Sequence, residues 1–107
     1  MKEEIVNAKI FDTMLGIEDH GIMTAFVYLD YGGSRQGFGG YALASGESMH
    51  LFVKNVLKIA GTDKWESLKG KVVRVKRESG WNGKIIAIGN YLSDEWFNPE
   101  EVFSPNK

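Results

Sequence analysis

With 107 residues, 43% hydrophobic and 25% charged, the chain has the size and composition of one soluble domain with a single core, and is too short for two. Thirteen basic against fourteen acidic side chains leave a formal net charge of −1, which supplies no long-range pull toward nucleic acid or an anionic membrane. Cysteine is absent, which excludes disulfides, thiolate metal sites and cysteine nucleophiles and fits a cytoplasmic location.

The opening Met1-Lys2-Glu3-Glu4 leads into mixed apolar and polar residues, so neither a signal peptide nor a membrane span is expected. Residues 5–15 carry Ile5, Val6, Ile10, Phe11, Met14 and Leu15 at poor helical spacing and read as a strand. An acidic turn, 16–21, holds Glu18, Asp19 and His20 between two glycines. Residues 22–31 follow, with Ile22, Met23, Phe26, Val27, Tyr28 and Leu29 as the strongest strand signal, antiparallel to the first.

The stretch 28–43, YLDYGGSRQGFGGYAL, is the centre of the functional reading. It concentrates five of the thirteen glycines and three tyrosines around only two charges, Asp30 and Arg35. Gly32-Gly33-Ser34 breaks the strand and residues 36–43 begin another. Glycines inside a strand mark a bend, a bulge, or a large neighbour lying on bare backbone. The string Gly37-x-Gly39-x-x-Ala42 satisfies a dinucleotide fingerprint by letter. However, no helix starts within it, and the chain lacks room for a doubly wound sheet.

One helix is expected over 46–60. Ser45 stands as N-cap, Glu47 lies in the first turn, and Met49, Phe52, Val53, Val56, Leu57 and Ala60 form one apolar face, with Gly61 as the stop. His50, Lys54, Asn55 and Lys58 form the other face. A further helical turn follows over 63–69. A β-hairpin then pairs 71–77 with 84–92 through Asn82-Gly83. Asn98 and Pro99 start a last helical turn through Phe103, and the apolar Trp96, Phe97, Val102 and Phe103 are expected to dock on the core. The fold read from these elements is a single α+β domain, residues 1–107. A curved, mainly antiparallel sheet of about five strands carries one main helix on one face.

Candidate chemistry divides into a site and a surface. Gly33 and Ser34 offer loop donors, Arg35 a charged fork and Gln36 an amide, while Tyr31, Phe38 and Tyr41 offer rings for stacking. Together they suit a phosphate-bearing small ligand, against the plain reading of a glycine bend whose aromatics fill the core. Trp81, Tyr91 and Trp96 are candidates for protein contact. Lys69, Lys71, Arg74, Lys76, Arg77 and Lys84 make the second hairpin basic, which admits a weak single-stranded nucleic-acid binder, although net acidity ranks this below the other partners. The acidic turn reads as solvated loop, no metal or other cofactor is expected, and nothing argues for an enzyme.

The phrases DTMLGIEDHGIMTAFVYLDYGGSRQGFGGYAL, WESLKGKVVRVK and KIIAIGNYLSDEWFNPEEVF cover most of the chain, from about Asp12 to Phe103. In this phrasing the chain resembles a family of small uncharacterised phage and prophage proteins. The resemblance implies a non-catalytic accessory protein of counter-defence type in the host cell. Such a protein would sequester a nucleotide-derived signal or block a host defence protein, with a structural phage component as a further class. It carries over no catalytic residue. A homodimer, in which two glycine turns share one pocket, fits the aromatic content.

Overall fold

The computed structural model describes residues 3–18, 21, 23–40, 46–80 and 83–103. The strands are β1 (Glu3–Ile17), β2 (Met23–Tyr31), β3 (Ser34–Gly39), β4 (Val72–Glu78), β5 (Ile85–Asn90) and β6 (Trp96–Phe97). Helix α1 (Gly46–Ala60) links β3 to β4, and a short helix α2 (Pro99–Phe103) follows β6. The strands form one open sheet in the order β3-β2-β1-β4-β5-β6, every neighbouring pair antiparallel. The α+β architecture is therefore as expected, with six strands in place of about five. The sixth, Trp96–Phe97, is two residues long, too short to show any periodicity in sequence.

β1 is the spine of the sheet. Its first half, from Glu3 to Lys9, pairs with β4, and its second half, from Lys9 to Ile17, pairs with β2. The hand-over falls at an irregularity between Ile10 and Asp12, where Phe11 is the extra residue. A bulge of this kind bends a strand and sharpens its twist. The strand also starts two residues earlier than its apolar pattern suggests. There Glu4 lies opposite Arg77 of β4, and the two side chains form an ion pair.

Between β2 and β3 the turn has only two residues, with Tyr31 directly opposite Ser34. Gly32 and Gly33 both adopt positive φ, +68° and +90°. That combination closes a tight hairpin in register with strand twist, and only glycine takes it at two successive positions without strain.

The core is made from one face of the sheet and one face of α1. Phe52, Val56 and Ile59 of the helix are buried against Ala8, Ile10, Val27, Leu29, Phe38, Val73, Val75, Ile88 and Phe97. The helix closes as the sequence indicates. Gly61 N–H donates to Lys58 O at 3.2 Å and Thr62 N–H to Leu57 O at 3.1 Å, a pattern that satisfies the last carbonyls. At α2 the Asn98 side chain accepts from Glu100 N–H at 3.0 Å, the expected cap. Val102, expected to dock, is instead exposed, because a five-residue helix buries little beyond its first turn. The expected cap Ser45 and the side chain of Phe103 lie outside what the structure describes.

One measurement shows how far the sheet curls. Phe38 on β3 and Phe97 on β6 have ring centroids 6.0 Å apart. In a flat six-stranded sheet these edge strands would be separated by five spacings, roughly 24 Å. The edges are drawn together under the helix, where Phe52 lies 6.0 Å from Phe38 and 5.8 Å from Phe97. The side chain of Gln36, near the start of β3, adds a bridge across the opening by donating to Gly83 O at 2.9 Å.

Truncating Phe52 to Ala removes the ring that both edges touch. It is expected to cost about 3–5 kcal/mol in urea unfolding, whereas His50→Ala on the exposed helix face should change stability by less than about 0.5 kcal/mol.

Candidate functional site

Residues directly opposite one another in an antiparallel pair share a face, so the register sorts the glycine-rich stretch. Leu29↔Gln36 and Val27↔Phe38 face the helix, whereas Asp30↔Arg35, Tyr28↔Gly37 and Phe26↔Gly39 face outward. The expected ligand group is thereby divided. Phe38 is 1% exposed and belongs to the core, so its ring is not available for stacking. Gln36 is committed to Gly83 O. Tyr31 is half-buried against the core, with the Arg77 guanidinium carbon 5.4 Å from its ring centre. Gly33, Ser34 and Arg35 are exposed, and Arg35 lies on the opposite face from Gln36. Tyr41 lies outside the described residues. The donors do not converge on one nest, because strand alternation sends neighbours to opposite sides.

The outward face carries a different set. Phe26 and Tyr28 of β2 lie over the bare backbone of β3. A Cβ built on Gly37 would sit 3.2 Å from Phe26 Cδ1 and 3.3 Å from Tyr28 Cε1, and one built on Gly40 would sit 2.3 Å from Phe26 Cζ. The glycines therefore leave room for rings laid across the edge strand, an arrangement that also shields a glycine-rich edge. The two rings are nearly parallel, 9° apart with centroids at 5.6 Å. The bulge at β1 turns Phe11 to the same side, 6.3 Å from Tyr28. All three rings are half-buried, so they form an aromatic platform with surface left to water.

Beside the platform is a groove of about 480 Å³, lined among others by Lys9, Phe11, Asp30, Arg35, Lys69 and Gly70. The Arg35 guanidinium carbon lies 4.6 Å from the centre of the Phe11 ring. Its Nε is 3.4 Å from Asp30 Oδ2, with the Arg35 side chain 64% exposed. An ion pair this open is worth at most about 1 kcal/mol, so Arg35 can exchange it for a better anion. Three cations and one carboxylate give the groove a local positive balance that the whole-chain charge conceals. Phe11, Phe26, Tyr28 and Lys9 were not among the candidate residues read from sequence, and Lys69 was read there only as part of the basic second hairpin. Only the register places them together, although alternation of Phe26, Tyr28 and Asp30 along β2 was a readable signal.

The second hairpin has its own fixed assembly. Trp96 lies on Gly89, where a Cβ would meet ring atoms at 2.6 to 2.7 Å. Arg74 and Lys76 each stand 4.8 Å from the Trp96 ring centre. Arg74 is held by hydrogen bonds from Nε to Asn90 O at 2.9 Å and from Nη2 to Ser93 O at 2.7 Å. Trp96 is thus a half-buried support for two cations and not an open contact residue. Tyr91 is 50% exposed beside Leu92 at 88%, in the β5–β6 turn, while Trp81 lies outside the described residues. Arg77, read from sequence as part of a basic surface, is buried. It pairs with Glu4 and donates to Gly80 O at 2.9 Å.

In the acidic turn, Asp19 and His20 lie outside the described residues, and among the described residues no three His, Asp or Glu side chains gather around a common point. No described helix is long and apolar enough to cross a membrane. No protein-family model matches the chain, and neither a curated protein nor a solved structure shows significant similarity to it.

Gly40→Ala tests the ring platform. At φ +70° the new side chain costs about 1–2 kcal/mol of backbone strain, and its Cβ drives into the Phe26 ring. The expected result is a lower urea midpoint together with shifted Phe26 and Tyr28 ring resonances in NMR spectra.

Proposed function

We propose that the chain is a non-catalytic binding protein whose outward β1–β2–β3 face takes a phosphate-bearing ligand with a flat ring, of the nucleotide class. The observation that carries this reading is the Phe11 ring, which lines the groove with Arg35, Lys9 and Lys69 and lies 6.3 Å from Tyr28, itself parallel to Phe26. Rings bind a base through its π face, and a guanidinium already stacked on Phe11 presents a planar fork to phosphate oxygens. The groove volume lies within the range of small-ligand sites. A partly open barrel-like sheet that binds oligonucleotides or oligosaccharides on its strand 2–3 face is a known architecture. That likeness is one of architecture alone, and the argument rests on the residues.

The place of this activity follows from the resemblance in sequence phrasing. On that basis the protein acts in the host cytoplasm as a phage accessory factor that sequesters a nucleotide-derived signal. A second reading, inhibition of a host protein by surface contact, draws on the exposed Tyr91–Leu92 turn. The face with rings and cations favours the first.

Titration of the ¹⁵N-labelled protein with AMP tests the site. Amide shifts are expected at Phe11, Tyr28, Arg35 and Gly37. Arg35→Ala should weaken binding roughly tenfold, about 1.4 kcal/mol, with an unchanged melting profile. Unaltered affinity in Arg35→Ala, or shifts confined to the β5–β6 turn, would remove the assignment.

A further inference from the structure

We infer that the ligand is a single-stranded nucleic acid whose backbone continues from the groove across β1 to Arg74 and Lys76, so that a mononucleotide fills only one end of the site. The inference rests on the ring-and-phosphate reading of the groove and adds the partner and its path.

Five of the six basic residues of the second hairpin region, all but Lys71, fall into three groups once their surroundings are known. Arg77 is buried on Glu4, and Lys84 lies 3.9 Å from Glu100. Lys69 lines the groove. Arg74 and Lys76 have no carboxylate partner among the described residues, yet both are gathered on one ring, each 4.8 Å from the Trp96 centre. Two like charges brought to a common support repel each other, and Arg74 is also pinned by two backbone carbonyls. The pair is preorganised for an anion that no described residue supplies as an ion-pair partner, the nearby Asp94 carboxylate accepting instead from Trp96 Nε1 at 3.2 Å.

The register shows that this pair and the groove lie on one face. Lys9 is opposite Asp30 of β2 on one side and near Val72 of β4 on the other, so it marks the junction. Two positions before it, Asn7 lies opposite Arg74, and Ile5 lies opposite Lys76. From Phe11 to Asn7 is four residues, roughly 13 Å of strand, with one further strand spacing of about 4.8 Å to Arg74. A diagonal of roughly 14 Å matches about four phosphates of a stacked strand at 3.4 Å each. One nucleotide cannot reach both ends. A duplex has its rings enclosed and cannot use the platform, whereas an unpaired strand offers both bases and phosphates.

Fluorescence anisotropy with labelled oligothymidylates of one, two, four and eight nucleotides, at 50 and 200 mM salt, tests the path. Affinity should rise with length up to about four nucleotides and then level off, with a log–log salt slope of about −3 for the longer strands. Lys76→Glu should weaken eight-nucleotide binding at least tenfold, while Lys54→Glu on the exposed face of α1 leaves it unchanged; circular dichroism melting confirms that both variants fold. Equal affinity for one and eight nucleotides overturns the strand inference and leaves the groove reading standing. No effect of Lys76→Glu on the eight-nucleotide strand overturns the path. Absence of binding to both the mononucleotide and the oligonucleotides defeats both readings.

Discussion

Three phenylalanine rings, Phe38 on β3, Phe52 on α1 and Phe97 on β6, meet at centroid distances of 5.8 to 6.0 Å and hold the two edges of the sheet together. Rings of this size bury large apolar areas and gain further from edge-on and offset contact. The cluster fastens a curl that strand twist and bulges begin, bringing together edges that would lie several strand spacings apart in a flat sheet. Bulges supply the bend in the backbone, at Phe11 on β1 and at Ile86 on β5, opposite Lys76 and Arg77 of β4.

The outward face is a consequence of this inward commitment. Because Phe38 points to the core, its neighbours Gly37 and Gly39 are assigned to the other side by strand alternation. Bare backbone at Gly37 and Gly40 then accepts the rings of Phe26 and Tyr28, which would otherwise stand upright from β2. The same logic recurs at the far edge, where Gly89 accepts Trp96 and Trp96 in turn supports Arg74 and Lys76. Gly37, Gly40 and Gly89 are seats for aromatic rings, whereas Gly21, Gly32, Gly33, Gly61, Gly70 and Gly80 take positive φ in open space. Two successive residues take positive φ at Gly32-Gly33, where they close the β2–β3 turn, and again at Gly39-Gly40.

Electrostatics follow the same sorting. A net charge of −1 averages over a half-buried pair, Arg77 with Glu4, over a surface pair, Lys84 with Glu100, and over two groups of cations on one face of the sheet. Only the last matter for an anionic ligand, because a buried charge paired at close range has little field left to offer. Composition cannot separate these cases, since a strand shows its two faces as alternating letters and does not say which face is covered.

Local patterning was legible in the sequence wherever one segment carried the whole signal. The helix bounds, the tight turn at Gly32-Gly33, the hairpin between β4 and β5, and the cap at Asn98 all follow from residue type and spacing over a few positions. The importance of the glycine-rich stretch was legible too, but its working face was not. Phe38 and Arg35 look alike as candidates when read along the chain, and only pairing with β2 shows that one faces the helix and the other water. Lys9, Phe11, Phe26, Tyr28 and Lys69 come from three separate segments and meet only once β1 has bridged the two hairpins. The sequence by itself determined which elements form, the two-residue β6 excepted, because capping, periodicity and turn chemistry act over a few residues. Tertiary structure alone decided which side chains share a surface, because register and curl depend on the core that all the elements build together.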